Sequence, residues 1–240
     1  MKTFFRPVIA VTFVLVSVFS CQQKEEKQQD VPDKASVVFE TDSLLFDSLE
    51  ADSSLAQLTA SEVRELTGDF FDKDTLNDFK WIFGEFYRID SLKKAGKYNE
   101  YVEHLDLGMT KDIEARKLKE VKLEDGSVFR IWTMKHGSYE ACPFTSGSEI
   151  FATLVYDGKI KDCFLVGQEL HSSDPPVWLT VDTYGSIYSN GLVKVDSKES
   201  NCEGEVDKNN VDIVLNKFEE ISFVIRQGKT TNLVTKAWDN

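Results

Sequence analysis

From residue 115 onward the chain alternates short runs rich in Val, Ile, Phe, Tyr and Thr with turn signals, a pattern that dictates an antiparallel sheet. Asp125-Gly126 and Asp157-Gly158 are hairpin dipeptides, joining residues 116–124 to 127–135 and 149–156 to 159–167. Further strands are expected at 177–184, 186–196, 211–218, 220–227 and 230–236, with Gly185 and Gly228 as breaks. About eight strands on short connections make a meander. Val177-Trp178-Leu179-Thr180-Val181-Asp182 alternates cleanly, so that strand has one wet face. Phe151 to Val155 is apolar on both faces, which calls for a curled or barrel-like sheet capped by helix.

Helices precede the sheet. Thr59 and Glu62 have capping-box spacing and open a short helix through Leu66 that Gly68 ends. Asp74 caps a longer one to about Ala95, whose Leu76, Phe79, Ile82, Phe83, Phe86, Ile89 and Leu92 recur at helical period and form its core-facing side. A third is expected over residues 99–107. The fold class is therefore α+β: short N-terminal helices (55–110), then an antiparallel meander of about eight strands (115–236), in one globular domain over residues 55–240. With 41% hydrophobic and 12% aromatic content, the chain can fill one sizeable core.

The first residues obey different rules. Lys2 and Arg6 precede the apolar run Pro7 to Phe19, too short to span a bilayer and the right length for a signal peptide over residues 1–20. The run ends in Val18-Phe19-Ser20-Cys21, after which the composition becomes Gln22-Gln23-Lys24-Glu25-Glu26. This resembles the lipobox of bacterial lipoproteins, and the resemblance implies diacylglycerol on Cys21 and a membrane anchor of several acyl chains. Phe19 is bulkier than the lipobox pattern prefers, and ordinary cleavage after Ser20 is the rival reading. Gln23-Lys24-Glu25-Glu26 resembles the surface-export signal of lipoproteins in certain Gram-negative bacteria. That resemblance implies the outer face of the outer membrane, with the periplasmic face as the alternative.

Residues 21–54 are polar and acidic, with Pro32 their only proline, and read as a mostly disordered tether. Asp42-Ser43-Leu44 and Asp47-Ser48-Leu49 resemble acceptors for O-glycosylation in the same kind of bacteria, which would place sugars on Ser43 and Ser48. The competing reading makes Phe39, Leu44, Leu45, Phe46 and Leu49 a short element packed on the domain.

Chemistry is sparsely marked. Besides Cys21 there are Cys142, Cys163 and Cys202. A Cys142–Cys163 bridge would close a short loop, and reduced buried thiols or another pairing are the alternatives. Cys202 is expected in an exposed acidic loop, 196–210. A hydrolase would need Cys142 as nucleophile, His136 or His171 as base and Glu140 or Asp174 as orienter. No catalytic motif supports it, and neither a metal site nor a cofactor is indicated. The segment Gly167 to Pro176, with His171 and Asp174, is the expected recognition loop. The net charge of −13 disfavours nucleic acid as a partner. The chain thus resembles Gram-negative envelope lipoproteins. That implies a lipid-anchored accessory or binding module of unknown ligand, with a Cys142 hydrolase or a purely structural envelope protein as alternatives.

Overall fold

Strand propensity from residue 110 onward is spent on one sheet. The computed structural model describes residues 35–68, 76, 79–99, 110–138, 144–174, 177–204 and 211–239. Eight strands follow in sequence and pair with their neighbours antiparallel: β2 (Thr110–Lys122), β3 (Val128–Ser138), β4 (Phe144–Tyr156), β5 (Lys159–Asp174), β6 (Val177–Tyr188), β7 (Leu192–Gly204), β8 (Val211–Arg226) and β9 (Lys229–Asp239). A short ninth strand, β1 (Val37–Glu40), lies off this path and pairs with β6. The α+β meander holds. The turns at Asp157-Gly158 and Gln227-Gly228 each place two successive residues at positive φ, the geometry that two-residue hairpins need.

Three helices accompany the sheet: α1 (Ser43–Ala51), α2 (Ala60–Thr67) and α3 (Lys80–Lys94). The Thr59 capping box forms as the sequence predicts, with Glu62 accepting from the Thr59 amide at 2.7 Å and the Thr59 hydroxyl accepting from the Glu62 amide at 3.3 Å. On α3, Ile82, Phe83, Phe86 and Ile89 are buried against Ala115, Trp132, Met134 and Phe151 of β2 to β4. The expected cap Asp74 and most of the expected 99–107 helix lie outside the described residues, as do the signal segment, Cys21 and Lys24 to Glu26.

Several boundaries are corrected. Residues 35–54 are not a disordered tether: β1 and α1 belong to the folded unit, where Phe39 and Phe46 are buried at 7% and 2% exposure. Asp42 caps α1, its Oδ1 accepting from the Leu45 amide at 2.8 Å, so the Asp-Ser-Leu pattern there is a helix start. Gly185 is no break but sits inside β6, and the turn falls at residues 189–191, within the expected 186–196 strand. The expected 211–218 and 220–227 strands are one, because Phe218 to Ile221 keep unbroken register with β7 from Lys198 to Val195.

The sheet is curled but not closed into a barrel: β2 and β9 do not pair with each other. Its turns nevertheless meet. The Gln227 amide at the β8–β9 turn donates to Asp125 Oδ2 at 2.5 Å, and the Gly228 amide donates to Ser127 Oγ at 3.3 Å, both residues of the β2–β3 turn. Burial raises the Asp125 pKa, but the Ser127 and Gln227 amides, the Ser127 hydroxyl and the Arg226 charge outweigh it and hold the carboxyl below its ordinary value.

The curl begins where β5 and β6 part. They pair only from Gly167–Tyr184 to Asp174–Val177, after which the end of β6, Ser186 to Tyr188, pairs with β1 instead. Thr41 sits in the fork. Its hydroxyl donates to Val166 O at 3.0 Å and accepts from the Gly185 amide at 2.6 Å, while its own amide donates to Gly185 O at 2.9 Å. The approach there is so close that a Cβ on Gly185 would lie 2.4 Å from Val166 O.

Thr41→Val keeps the shape of this side chain and strands two buried backbone groups. The expected loss is about 2–4 kcal/mol of unfolding free energy, measured by urea titration of the full chain. A loss under about 0.5 kcal/mol would show that the fork closes without Thr41.

Candidate functional site

The helices cover only part of the sheet face they pack on. Trp132 and Phe151 stack with ring centroids 4.6 Å apart, and Phe79 meets Phe151 edge-on at 5.4 Å. Trp132 Nε1 donates to Thr153 Oγ1 at 3.0 Å, and that hydroxyl donates to the carbonyl of Leu66 in α2 at 2.9 Å, tying helix to sheet through a satisfied polar path.

Beyond this covered region a cleft of about 840 Å³ opens between the start of α3 and strands β5 to β9. Phe164, Leu165, Leu170, Leu179, Val181, Ile221 and Phe223 give it an apolar lining, and Phe79, Trp81 and Ile82 line it from the helix side. Phe164 of β5 and Phe223 of β8 stack at 4.6 Å, bringing together strands that are three apart in the sheet. Trp81 is 45% exposed, an unusual position for so large an apolar ring.

Polar side chains share the lining, among them Gln168, Ser172, Thr183, Ser197 and Glu149. Glu149 of β4 is fully buried, and its Oε1 lies 3.0 Å from His136 Nε2 and 3.4 Å from the Gln168 amide nitrogen. His136 is itself 2% exposed and meets the Trp81 ring edge-on at 5.3 Å. Glu149 Oε2 and His136 Nδ1 have no hydrogen-bond partner among the described residues. Gly147 opposite leaves room for the pair: a Cβ there would come within 2.9 Å of His136 Nε2 and 3.0 Å of Glu149 Oε1. At the cleft's polar rim, Glu199 accepts from Lys217 Nζ and Asn201 Nδ2, each at 2.9 Å. The Lys217 bond lowers the Glu199 pKa, burial opposes it, and the Asn201 bond and the Lys217 charge add to the lowering.

The expected site residues are scattered around this cleft rather than gathered in it. His171 and Asp174 are exposed but not on a loop: the whole of 159–174 is β5, with His171 paired to Ser146 and Thr180 on its two neighbours. Pro175 and Pro176 lie outside the described residues. Ser43 and Ser48 are exposed on α1 with engaged hydroxyls, Ser43 bonding Tyr184 at 2.9 Å and Ser48 donating to Leu45 O at 2.7 Å. Tyr184 in turn donates to Glu169 at 3.1 Å, so Ser43 belongs to a polar link between α1, β5 and β6. Cys202 is half-buried on β7 opposite Trp178, not in a loop.

The cysteine readings change most. Cys163 carries a free, fully buried thiol 3.6 Å from Thr153 Oγ1. Burial pushes that thiol up to about 12, with Asp162 adding to the rise and the Thr153 contact opposing it. Cys142 and Glu140 lie outside the described residues. The hairpin is longer than its sequence suggests: β4 begins at Phe144, which pairs with Ser173, nine residues along β4 from the Thr153–Cys163 pair. A hydrolase centred on Cys142 also loses one candidate base, since His136 is buried and paired to Glu149.

Sequence reasoning passed over Glu149 and Gln168. A signal existed: Glu149 stands in phase with Phe151 and Thr153, so a strand that buries those two must bury a carboxylate as well. Among the described residues no group of three His, Cys, Asp or Glu side chains is arranged to hold a metal ion. The fold and site together define an open antiparallel meander with a helix-walled apolar cleft. No protein-family model, curated protein or solved structure matches the chain.

Iodoacetamide on the folded, unreduced protein is expected to leave the Cys163 peptide unmodified, and denaturant alone, without reductant, to expose it to full labelling. Labelling that required reduction would reinstate a disulfide.

Proposed function

We propose that this protein is a lipid-anchored binding module of the bacterial outer membrane, tethered through Cys21, which holds an elongated, largely apolar ligand in the cleft between α3 and β5 to β9. The cleft carries the reading. At about 840 Å³ it is within the range of small-molecule sites, and it leaves Leu179, Val181 and Ile221 partly exposed on a face whose other half is sealed by helix. Burying an apolar chain there removes both surfaces from water, worth about 0.8 kcal/mol per methylene.

Anchoring rests on the basic and apolar leader, the lipobox-like Val18 to Cys21 and the acidic stretch after it. No helix among the described residues is long and apolar enough to cross a membrane. A chain held at a bilayer by acyl groups meets apolar molecules at high local concentration, which suits a module that takes them up or passes them on. The chain's net charge of −13 turns it away from nucleic acid and from phosphate-rich surfaces.

A neutral fluorescent apolar probe, N-phenyl-1-naphthylamine, should bind the mature protein and be displaced by linear alcohols. Affinity should rise by up to roughly fourfold per added methylene until the cleft is full. Val181→Trp, which fills the floor with a strand-compatible side chain, should reduce probe binding at least tenfold without lowering the melting temperature. Probe binding unchanged in that variant would refute the cleft.

A further inference from the structure

We propose that Glu149 is the head-group site of this cleft, and that the ligand's polar end donates hydrogen bonds, a primary aliphatic amine being the simplest case, rather than ending in a carboxylate or phosphate. The proposal rests on the cleft being a binding site for an apolar chain.

The Glu149 side chain is 1% exposed yet belongs to the cleft lining. His136 and Gln168 both address Oε1, and Oε2 is left without a partner among the described residues. A buried carboxylate oxygen without a donor is unfavourable and uncommon, and a donor arriving along the apolar floor would satisfy it. The carboxylate is also held in place. The His136 contact and the tight fit over Gly147, with a Cβ position only 3.0 Å from both Glu149 Oε1 and Leu170 Cδ1, fix its orientation. An ammonium or hydroxyl head would then gain a short, charge-assisted bond in a site shielded from water. An acid head would meet a like charge there and further ones from Glu199 and Glu219 on the same cleft.

The test is displacement of N-phenyl-1-naphthylamine from the full mature protein by dodecylamine, dodecanol and lauric acid, at high salt so that the overall charge is screened. The wild type should release the probe at a tenfold or more lower concentration of amine than of acid. Glu149→Gln should raise the amine concentration needed at least tenfold, leave the alcohol within about threefold, and keep the melting temperature. Acid binding as tight as amine in the wild type overturns the head-group assignment, whatever the variant's folding. So does a Glu149→Gln protein that still binds amine like the wild type. If probe binds and no ligand of any head group displaces it, the cleft reading falls and the head-group site with it.

Discussion

The fork between β5 and β6 is the constraint on which the rest of this structure depends. Two strands that part in a protein interior strand their backbone groups, and each unpaired group costs as much as a lost hydrogen bond. Here one residue, Thr41, supplies both the donor for Val166 O and the acceptor for the Gly185 amide, and β1 takes over the end of β6 that β5 abandons. Because that repair is available, β5 can stay with β6 from Gly167 to Asp174 and still carry Phe164 onto Phe223. The first stretch lines the cleft with Gln168, Leu170 and Ser172; the Phe164 stack brings two distant strands together at its floor.

The bulge in β5 between Leu165 and Gly167 matters for the same reason. It shifts the strand by one residue against β4, so that Leu165 opposes Phe151 and Gln168 opposes Glu149. Without it Gln168 would point away from the carboxylate it supports. A helix and a bulge thus divide one sheet face into a sealed half around Trp132 and Phe151 and an open half, with the buried carboxyl of Glu149 at the boundary. Replacing such a buried pair with apolar residues of similar volume is often neutral or stabilising, which is the physical reason to read Glu149 and His136 as serving a ligand.

Much of the architecture was legible from residue type alone. The Thr59–Glu62 box, the Asp157-Gly158 turn and the helical period of Ile82, Phe83, Phe86 and Ile89 act locally, and here local preference and tertiary fold agree. What escaped was set by long-range contact. Residues 37–51 look like a polar tether because only Val38, Phe39, Leu45, Phe46 and Leu49 pack against the core, whose other members lie far along the chain, from Leu118 to Ile225. Gly185 looks like a break because nothing nearby reveals that Val166 O sits against it. The Cys142–Cys163 expectation rested on a short hairpin, whereas β4 and β5 stay paired as far as Phe144 and Ser173 and Cys163 keeps a free, buried thiol. Glu149 and Gln168 were within reach of strand parity, but their convergence with His136 needed the bulge.

Whether a ligand sits in the open half of this sheet face can be read from methyl NMR of the leucine, valine and isoleucine side chains during titration with a linear alcohol. Saturable shifts are expected at Leu170, Leu179, Val181 and Ile221, with Val121, Leu123 and Leu154, buried outside the cleft lining, unmoved. Shifts centred on those three, or none in the cleft at saturating alcohol, would overturn the cleft as the ligand's place.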